Sequence, residues 1–211
     1  DSKQIFSREE LINEFSLEGI NKANSIFDAK KDDPKFFTDP KAISLNAHYL
    51  RTMPVNELVP YIKAEFEKAG IWNRAFEEEK RDWFLQTVNL IRVRFNFTTD
   101  FVTLGRTYFS DEYPMDPGAL EKNILKHDSL REWFPMLADR LNRLEDFSLE
   151  RTEGVIRKLA EEKDIKPGIL INGIRTAVTG QAVGPGLFEV LEAVGKERVV
   201  ARLRKAIELF N

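Results

Sequence analysis

A chain of 211 residues, 42% hydrophobic and 32% charged, is long enough for one substantial domain or two small ones, and its balance is globular rather than disordered. Cysteine is absent, which excludes disulfides and thiolate zinc sites; with only His48 and His127 available, a metal centre would have to rest on carboxylates. The formal net charge of -3 excludes attraction of phosphate by the global field, so an RNA partner would have to be held by a local basic face.

The first residues, Asp1-Ser2-Lys3-Gln4, carry neither an initiator Met nor an apolar signal region and read as cut from something longer. Ser7 with Glu10 three residues on is a capping box for a short first helix. Residues 30 to 40, rich in Lys, Asp and Pro, read as a loop. Asp39-Pro40 then supplies an N-cap and first-turn proline for a helix to about Arg51. The next helix runs from near Asn56 to Gly70, a residue type suited to the position just past a helix end. A long helix is expected from about Asn73 to Phe95, with a core seam of Phe84, Val88, Ile91 and Phe95. Thr98 or Thr99 caps a further helix carrying Phe101, Leu104 and Tyr108.

Two prolines and a glycine in Ser110–Gly118 interrupt the periodicity and mark the best boundary. Asp116-Pro117 starts a short helix. Beyond it, Leu130, Phe134, Leu137, Leu141 and Leu144 form a bundle-like stripe. Ser148 caps a helix with Val155, Ile156 and Leu159. Pro167 opens one through Ile171, Ile174 and Val178, closed by Gly180, and Gly195 joins the last two. No segment alternates with period two, and no apolar run is long enough to span a bilayer. The expected fold class is all-α: two consecutive helical bundles, 57–115 and 116–211, preceded by a short helical remnant, 1–56.

Catalytic constellations are missing: no Gly-rich phosphate loop after a strand, no Cys/His nucleophile pair and no His-Glu-x-x-His occur. Carboxylates sit in mixed-charge runs such as Glu77-Glu78-Glu79-Lys80-Arg81, the pattern of a solvated face. Trp83, Thr87, Leu90 and Arg94 fall on one helical stripe. Its terminal Arg94 is either a guanidinium fork braced by apolar neighbours, suited to reading a base edge, or a snorkelling surface arginine. Gly184-Pro185-Gly186 ahead of Leu187 is either a close-approach or anion-binding turn at a helix start, or a plain tight turn. In the last helix Arg198, Arg202 and Lys205 share one face, candidates for phosphate contacts.

Several segments together resemble the C-terminal part of bacterial glutamyl-tRNA synthetases. They are Phe15–Lys22 with Phe27-Asp28, Leu45-Asn46-Ala47-His48-Tyr49-Leu50-Arg51, Ile91–Arg94, Tyr108-Phe109, Arg175-x-Ala177-x-Thr179-Gly180, Pro185-Gly186-Leu187-Phe188 and Gly195-Lys196-Glu197-Arg198. They cover nearly the whole chain in the right order. The chain departs from the family by about ten extra residues from Ala29 to roughly Asp39 and by Ala47 where Gly is usual.

The resemblance implies the end of a stem-contact region followed by two helical anticodon-binding domains of a cytoplasmic, monomeric, non-membrane ligase. The whole enzyme would use ATP and magnesium to attach glutamate to its tRNA. The catalytic half, with its His-x-Gly-His-type and Lys-x-Ser-Lys-type motifs, is missing here, so this part is expected to carry no catalytic residue, no cofactor and no metal. Its partner would be the anticodon arm of tRNA(Glu). By the same resemblance Arg94 faces the third anticodon base, and Arg175 and the turn Gly184, Pro185, Gly186, Leu187 lie near the other two. The competing reading is a helical protein-interaction module docking through Trp72, Trp83 or Trp133 without an RNA role; an all-α enzyme with a carboxylate site is a third.

Overall fold

The computed structural model describes residues 5–19 and 39–210; the expected loop up to Asp39, the Phe27-Asp28 segment and the first four residues lie outside the described residues. Among the described residues the architecture is all-α with no strand, as the apolar periodicity predicted. The helices are α1 (Arg8–Glu14), α2 (Pro40–Thr52), α3 (Val55–Lys68), α4 (Arg81–Arg92), α5 (Arg106–Phe109) and α6 (Pro117–Leu120), the last continued by a π turn, Glu121–Leu125. They are followed by α7 (Leu130–Asn142), α8 (Leu149–Glu162), α9 (Pro167–Thr179), α10 (Leu187–Val194), α11 (Lys196–Lys205) and a closing 3-10 turn, Ala206–Phe210. No helix among them is long and apolar enough to cross a membrane.

Most helix ends follow from local chemistry. The Ser7 hydroxyl accepts from the Glu10 N–H at 3.2 Å while the Glu10 carboxylate accepts from the Ser7 N–H at 2.8 Å, a complete capping box. Asp39 accepts from the Lys41 N–H at 2.8 Å, and Asp116 from the Ala119 N–H at 2.6 Å. Gly70 (φ +67°) follows α3 and Gly180 (φ +75°) closes α9, both in the left-handed region where a Cβ is penalised. Ser148 stands at the N-cap of α8 but caps nothing, because its hydroxyl donates to the Asp146 carboxylate at 2.7 Å. Asp116→Ala should lower stability by about 1 kcal/mol, read as a shift of the urea midpoint at unchanged slope.

Two expected helices break up. The one expected over 73–95 is a 3-10 turn, Arg74–Phe76, then a bend, then α4. Asn73 caps the short turn, its side chain accepting from the Ala75 N–H at 3.0 Å. In a continuous helix Phe76 and Phe84 would lie about 12 Å apart along the axis. The bend instead folds Phe76 back to stack on Phe84, with centroids 5.1 Å apart and planes 11° from parallel. Phe66, Trp72 and Phe109 surround that pair edge-on, so aromatic packing overrode helix propensity. Likewise the helix expected after Thr98 or Thr99 is two separate turns, Thr98–Phe101 and α5. The first is capped not by threonine but by Asp100, which accepts from the Asn96 and Phe97 N–H groups at 2.8 and 3.0 Å.

The buried seam Phe84, Val88, Ile91 and Phe95 is as predicted, as are Leu130, Phe134, Leu137 and Leu141. Apolar packing runs continuously from Leu50 to Ala206 and crosses the Ser110–Asp116 link. There α4 and α5 rest on α10, and α5 on α9. Polar bonds accompany this packing: Trp83 Nε1 donates to the Ala193 carbonyl at 2.8 Å, and the Thr107 hydroxyl to the Val178 carbonyl at 2.9 Å. On the other flank Arg92 donates to the Met53 carbonyl at 2.6 Å, and the Asn46 amide donates to the Asn96 carbonyl. Helix α2 is thereby tied to the turn that follows Arg94.

Candidate nucleic-acid interface

Between the segment ending in α5 and the segment built on α9 lies a cleft of about 250 Å³. One wall is Ile91, Arg94, Phe95, Leu104, Thr107 and Tyr108; the other is Arg175, Thr179, Gln181, Val183, Gly184 and Pro185. Arg94 and Arg175, more than eighty residues apart in sequence, thus face one volume.

The two arginines are held differently. α4 stops at Arg92, and the chain tightens: Arg94 N–H donates to the Ile91 carbonyl at 3.0 Å and Phe95 N–H to the Arg92 carbonyl at 3.2 Å. This turns Arg94 off the expected Trp83–Thr87–Leu90 row. Trp83 and buried Thr87 are spent inside the fold, and the apolar neighbours of Arg94 at the cleft are Ile91, Phe95 and Leu104. The Arg94 side chain is exposed and makes no hydrogen bond or ion pair among the described residues.

Arg175 is half-buried and donates from Nη1 to the Pro185 carbonyl at 2.7 Å. Burial lowers its pKa from the usual guanidinium value, and the positive charge of Arg94 lowers it further. Two like charges sharing a cleft favour an occupant that presents acceptor atoms to both. Tyr108 itself is buried, which pushes its phenol well above the usual tyrosine pKa, so it remains a neutral hydroxyl.

The turn before α10 departs from its expected role in three respects. Gly184 and Pro185 line the cleft, and a Cβ on Gly184 would press to 3.1 Å of Arg175 Nη1, so the close approach of this turn is to the protein's own arginine. Leu187, expected at the interface, is buried in the core. At Gly186 a Cβ would collide with the Glu189 carboxylate, which therefore lies over the start of α10. A carboxylate already placed at a helix N-terminus satisfies its partial positive charge and repels a second anion.

The basic face expected on α11 is dispersed. Arg202 is a correction: only 7% exposed, it donates to the Thr107 hydroxyl and carbonyl and to the Val178 and Ser110 carbonyls at 2.8–2.9 Å. A guanidinium so buried, with its Nη1 and Nη2 donors turned to protein acceptors, does not present itself to phosphate. Arg198 donates to the Tyr108 carbonyl at 3.0 Å and pairs with Asp111 at 3.0 Å. Lys205 is exposed, but it opens on a separate depression beside Asp111, Glu112 and Glu208, acidic company for a phosphate. The tryptophans of the competing docking reading are engaged as well: Trp133 is buried, and Trp72 packs edge-on against Phe66, Phe76 and Phe84.

Sequence reasoning missed Thr107, Thr179, Gln181, Leu104 and Val183 as cleft residues. The signal for them was position: Thr107 and Thr179 lie in helices, and Leu104, Gln181 and Val183 in the turns next to them, beside residues already singled out, Tyr108-Phe109, Gly180 and Gly184.

Comparison with known proteins identifies the family. The family described as an anticodon binding domain matches residues 54–207. The chain is 51% identical over 210 residues to a glutamate–tRNA ligase of Desulfotalea psychrophila, covering 100% of this chain and 43% of that protein. It is 39% identical over 208 residues to glutamate–tRNA ligase 2 of Koribacter versatilis, covering 99% of this chain and 40% of that one. Among solved structures it resembles a glutamate tRNA ligase from Elizabethkingia meningosepticum in complex with its amino acid, with TM-score 0.78 and 25% identity, covering 99% of this chain and 38% of that one. The chain spans about two fifths of the length of the curated relatives it matches. It belongs to the anticodon binding domain family, and the relatives with which it aligns over its whole length are glutamate–tRNA ligases.

Proposed function

We propose that this chain is the anticodon-reading part of a glutamate–tRNA ligase and that the cleft between Arg94 and Arg175 receives an unpaired anticodon base of tRNA(Glu). The observation that carries this reading is the convergence of an exposed guanidinium, unbonded among the described residues, and a half-buried one on a single apolar-walled cleft. Anticodon bases are unstacked, so they can be splayed into such a cleft and read on their Watson–Crick edges. Arg94 reads the third base. Arg175, fixed by Pro185, orients the neighbouring nucleotide. The division into helical units at about residue 115 belongs to the same reading, with one unit supplying each wall.

Among the described residues no group of three or more His, Cys, Asp or Glu converges. We place amino-acid activation with ATP and magnesium in the portion of the ligase that this chain, about two fifths of the length of its relatives, does not span. The working unit is one copy of the enzyme and one tRNA, in the cytoplasm.

A salt titration of binding to tRNA(Glu) transcript tests the reading against a protein-docking module. Each phosphate contact should weaken affinity about threefold between about 50 and 200 mM salt. Binding that is absent, or indifferent to salt, would overturn it.

A further inference from the structure

Among the described residues Arg202 makes four side-chain hydrogen bonds while buried, and cleft and phosphate binding leave it unexplained. Its Nη1 donates to the Thr107 hydroxyl at 2.9 Å and the Val178 carbonyl at 2.8 Å; its Nη2 donates to the Thr107 carbonyl at 2.9 Å and the Ser110 carbonyl at 2.8 Å. The guanidinium carbon stands 4.3 Å from the centroid of the Tyr113 ring, and the Tyr113 hydroxyl donates to the Ala177 carbonyl at 2.8 Å. Besides the Thr107 hydroxyl and a longer 3.9 Å pairing with Asp111, the acceptors are backbone carbonyls at helix ends: Thr107 and Ser110 in and just after the short α5, Ala177 and Val178 in the last turn of α9. These are the carbonyls that a helix C-terminus leaves without an internal partner and that carry its partial negative charge.

The placement is specific to the cleft. Thr107 and Tyr108 belong to the Arg94 wall, and Arg175 and Thr179 to the opposite wall. Arg202 comes from a third element, α11, and grips both walls from behind. We propose that Arg202 is a positioning residue that sets the gap between Arg94 and Arg175. The proposal rests on the reading of the cleft as a base site only for its consequence in RNA selection; the geometric part stands without it.

The chemistry of the side chain supports this role over plain stabilisation. A buried ion is a poor source of stability, and apolar replacements are often neutral. A guanidinium offers something else: a planar fork with fixed donor directions, so acceptors on two separate segments can satisfy it at only one separation. Lysine keeps the charge as a single point with rotatable donors and cannot impose that separation. The direct Thr107–Val178 hydrogen bond, at 2.9 Å, adds a second tie at the same place.

The chain has no cysteine, so nitroxide labels can be placed uniquely. One pair spans the cleft, Asn89→Cys with Ala182→Cys; a control pair, Lys158→Cys with Ala182→Cys, stays on one side; all three positions are exposed. Double electron–electron resonance on the 211-residue chain should give a narrow distance distribution for both pairs. In Arg202→Lys the spanning pair should broaden at least twofold, more so in Arg202→Met, with the control pair unchanged. Unlabelled Arg202→Lys should also lose at least fivefold of the preference for a third anticodon base C over G. If Arg202→Met does not fold, Arg202→Lys and Thr107→Val decide, the latter removing both the Oγ acceptor and the second tie. A spanning distribution as narrow as the parent's in a folded variant, or equal broadening of both pairs, would overturn the proposal. A broadened spanning pair with an unchanged base preference would uphold the positioning role and sink the base-reading role of the cleft.

Discussion

Arg94→Gln is expected to cut the preference for a tRNA whose third anticodon base is C over one bearing G by roughly one to two orders of magnitude, on the order of 1–3 kcal/mol. Cytosine presents N3 and O2 as acceptors, which the guanidinium donors can meet. Guanine presents N1–H and N2–H donors on the same edge, so donor would face donor and one side would be left unpaired in a half-buried cleft. A glutamine carries both a donor and an acceptor and can turn its amide to serve either base. The substitution should therefore narrow the gap chiefly by improving binding of the G-ending anticodon. Because Arg94 is exposed and bonded to nothing among the described residues, stability should move by no more than about 0.5 kcal/mol. Loss of selectivity without loss of fold is the signature; an unchanged ratio of dissociation constants for the two tRNAs would remove Arg94 from the role.

Gly180→Ala should destabilise the fold by about 2–5 kcal/mol, combining a left-handed backbone penalty of about 1–2 kcal/mol with a steric one of about 1–3 kcal/mol. Gly180 adopts φ +75°, and a Cβ there would drive into the Pro114 carbonyl oxygen. The backbone has no room to yield, because the Gly180 carbonyl accepts from the Asp116 N–H at 2.8 Å, pinning the link to the end of α9. Gly70 provides the internal comparison: at φ +67°, a Cβ there would meet nothing within 4 Å. Gly70→Ala should show the backbone penalty alone. Urea denaturation of both variants separates the two contributions, and equal losses would show that the collision relaxes without cost.

Much of the architecture was legible in the chain because it depends on short-range chemistry. Asp39-Pro40, Asp116-Pro117, Gly180 and Gly195 mark helix ends through hydrogen bonds and φ values that involve only near neighbours. The seam Phe84–Phe95 and the stripe Leu130–Leu141 follow from a period any helix shares. What misled was the assumption that periodicity continues until a breaker appears. Residues 73–80 hold no proline or glycine, yet the chain bends there because Phe76 gains more by stacking on Phe84 than the helix loses. Similarly, Arg198, Arg202 and Lys205 do share a helical spacing, but spacing does not reveal which side of α11 faces a neighbour. The buried carbonyls of α5 and α9 claimed Arg202, and Asp111 claimed Arg198.

By itself the sequence determined the all-α class, most of the helix ends and the likeness to the anticodon-binding part of a ligase, since each rests on residues close together in the chain or on the order of motifs along it. Only the tertiary structure decided which cations are free. Arg94 and Arg202 have the same side chain, but one meets solvent at a cleft and the other meets four acceptors. The physical reason is that a guanidinium goes where unsatisfied carbonyls lie, and those carbonyls come from helix ends that are distant in sequence and adjacent only after folding.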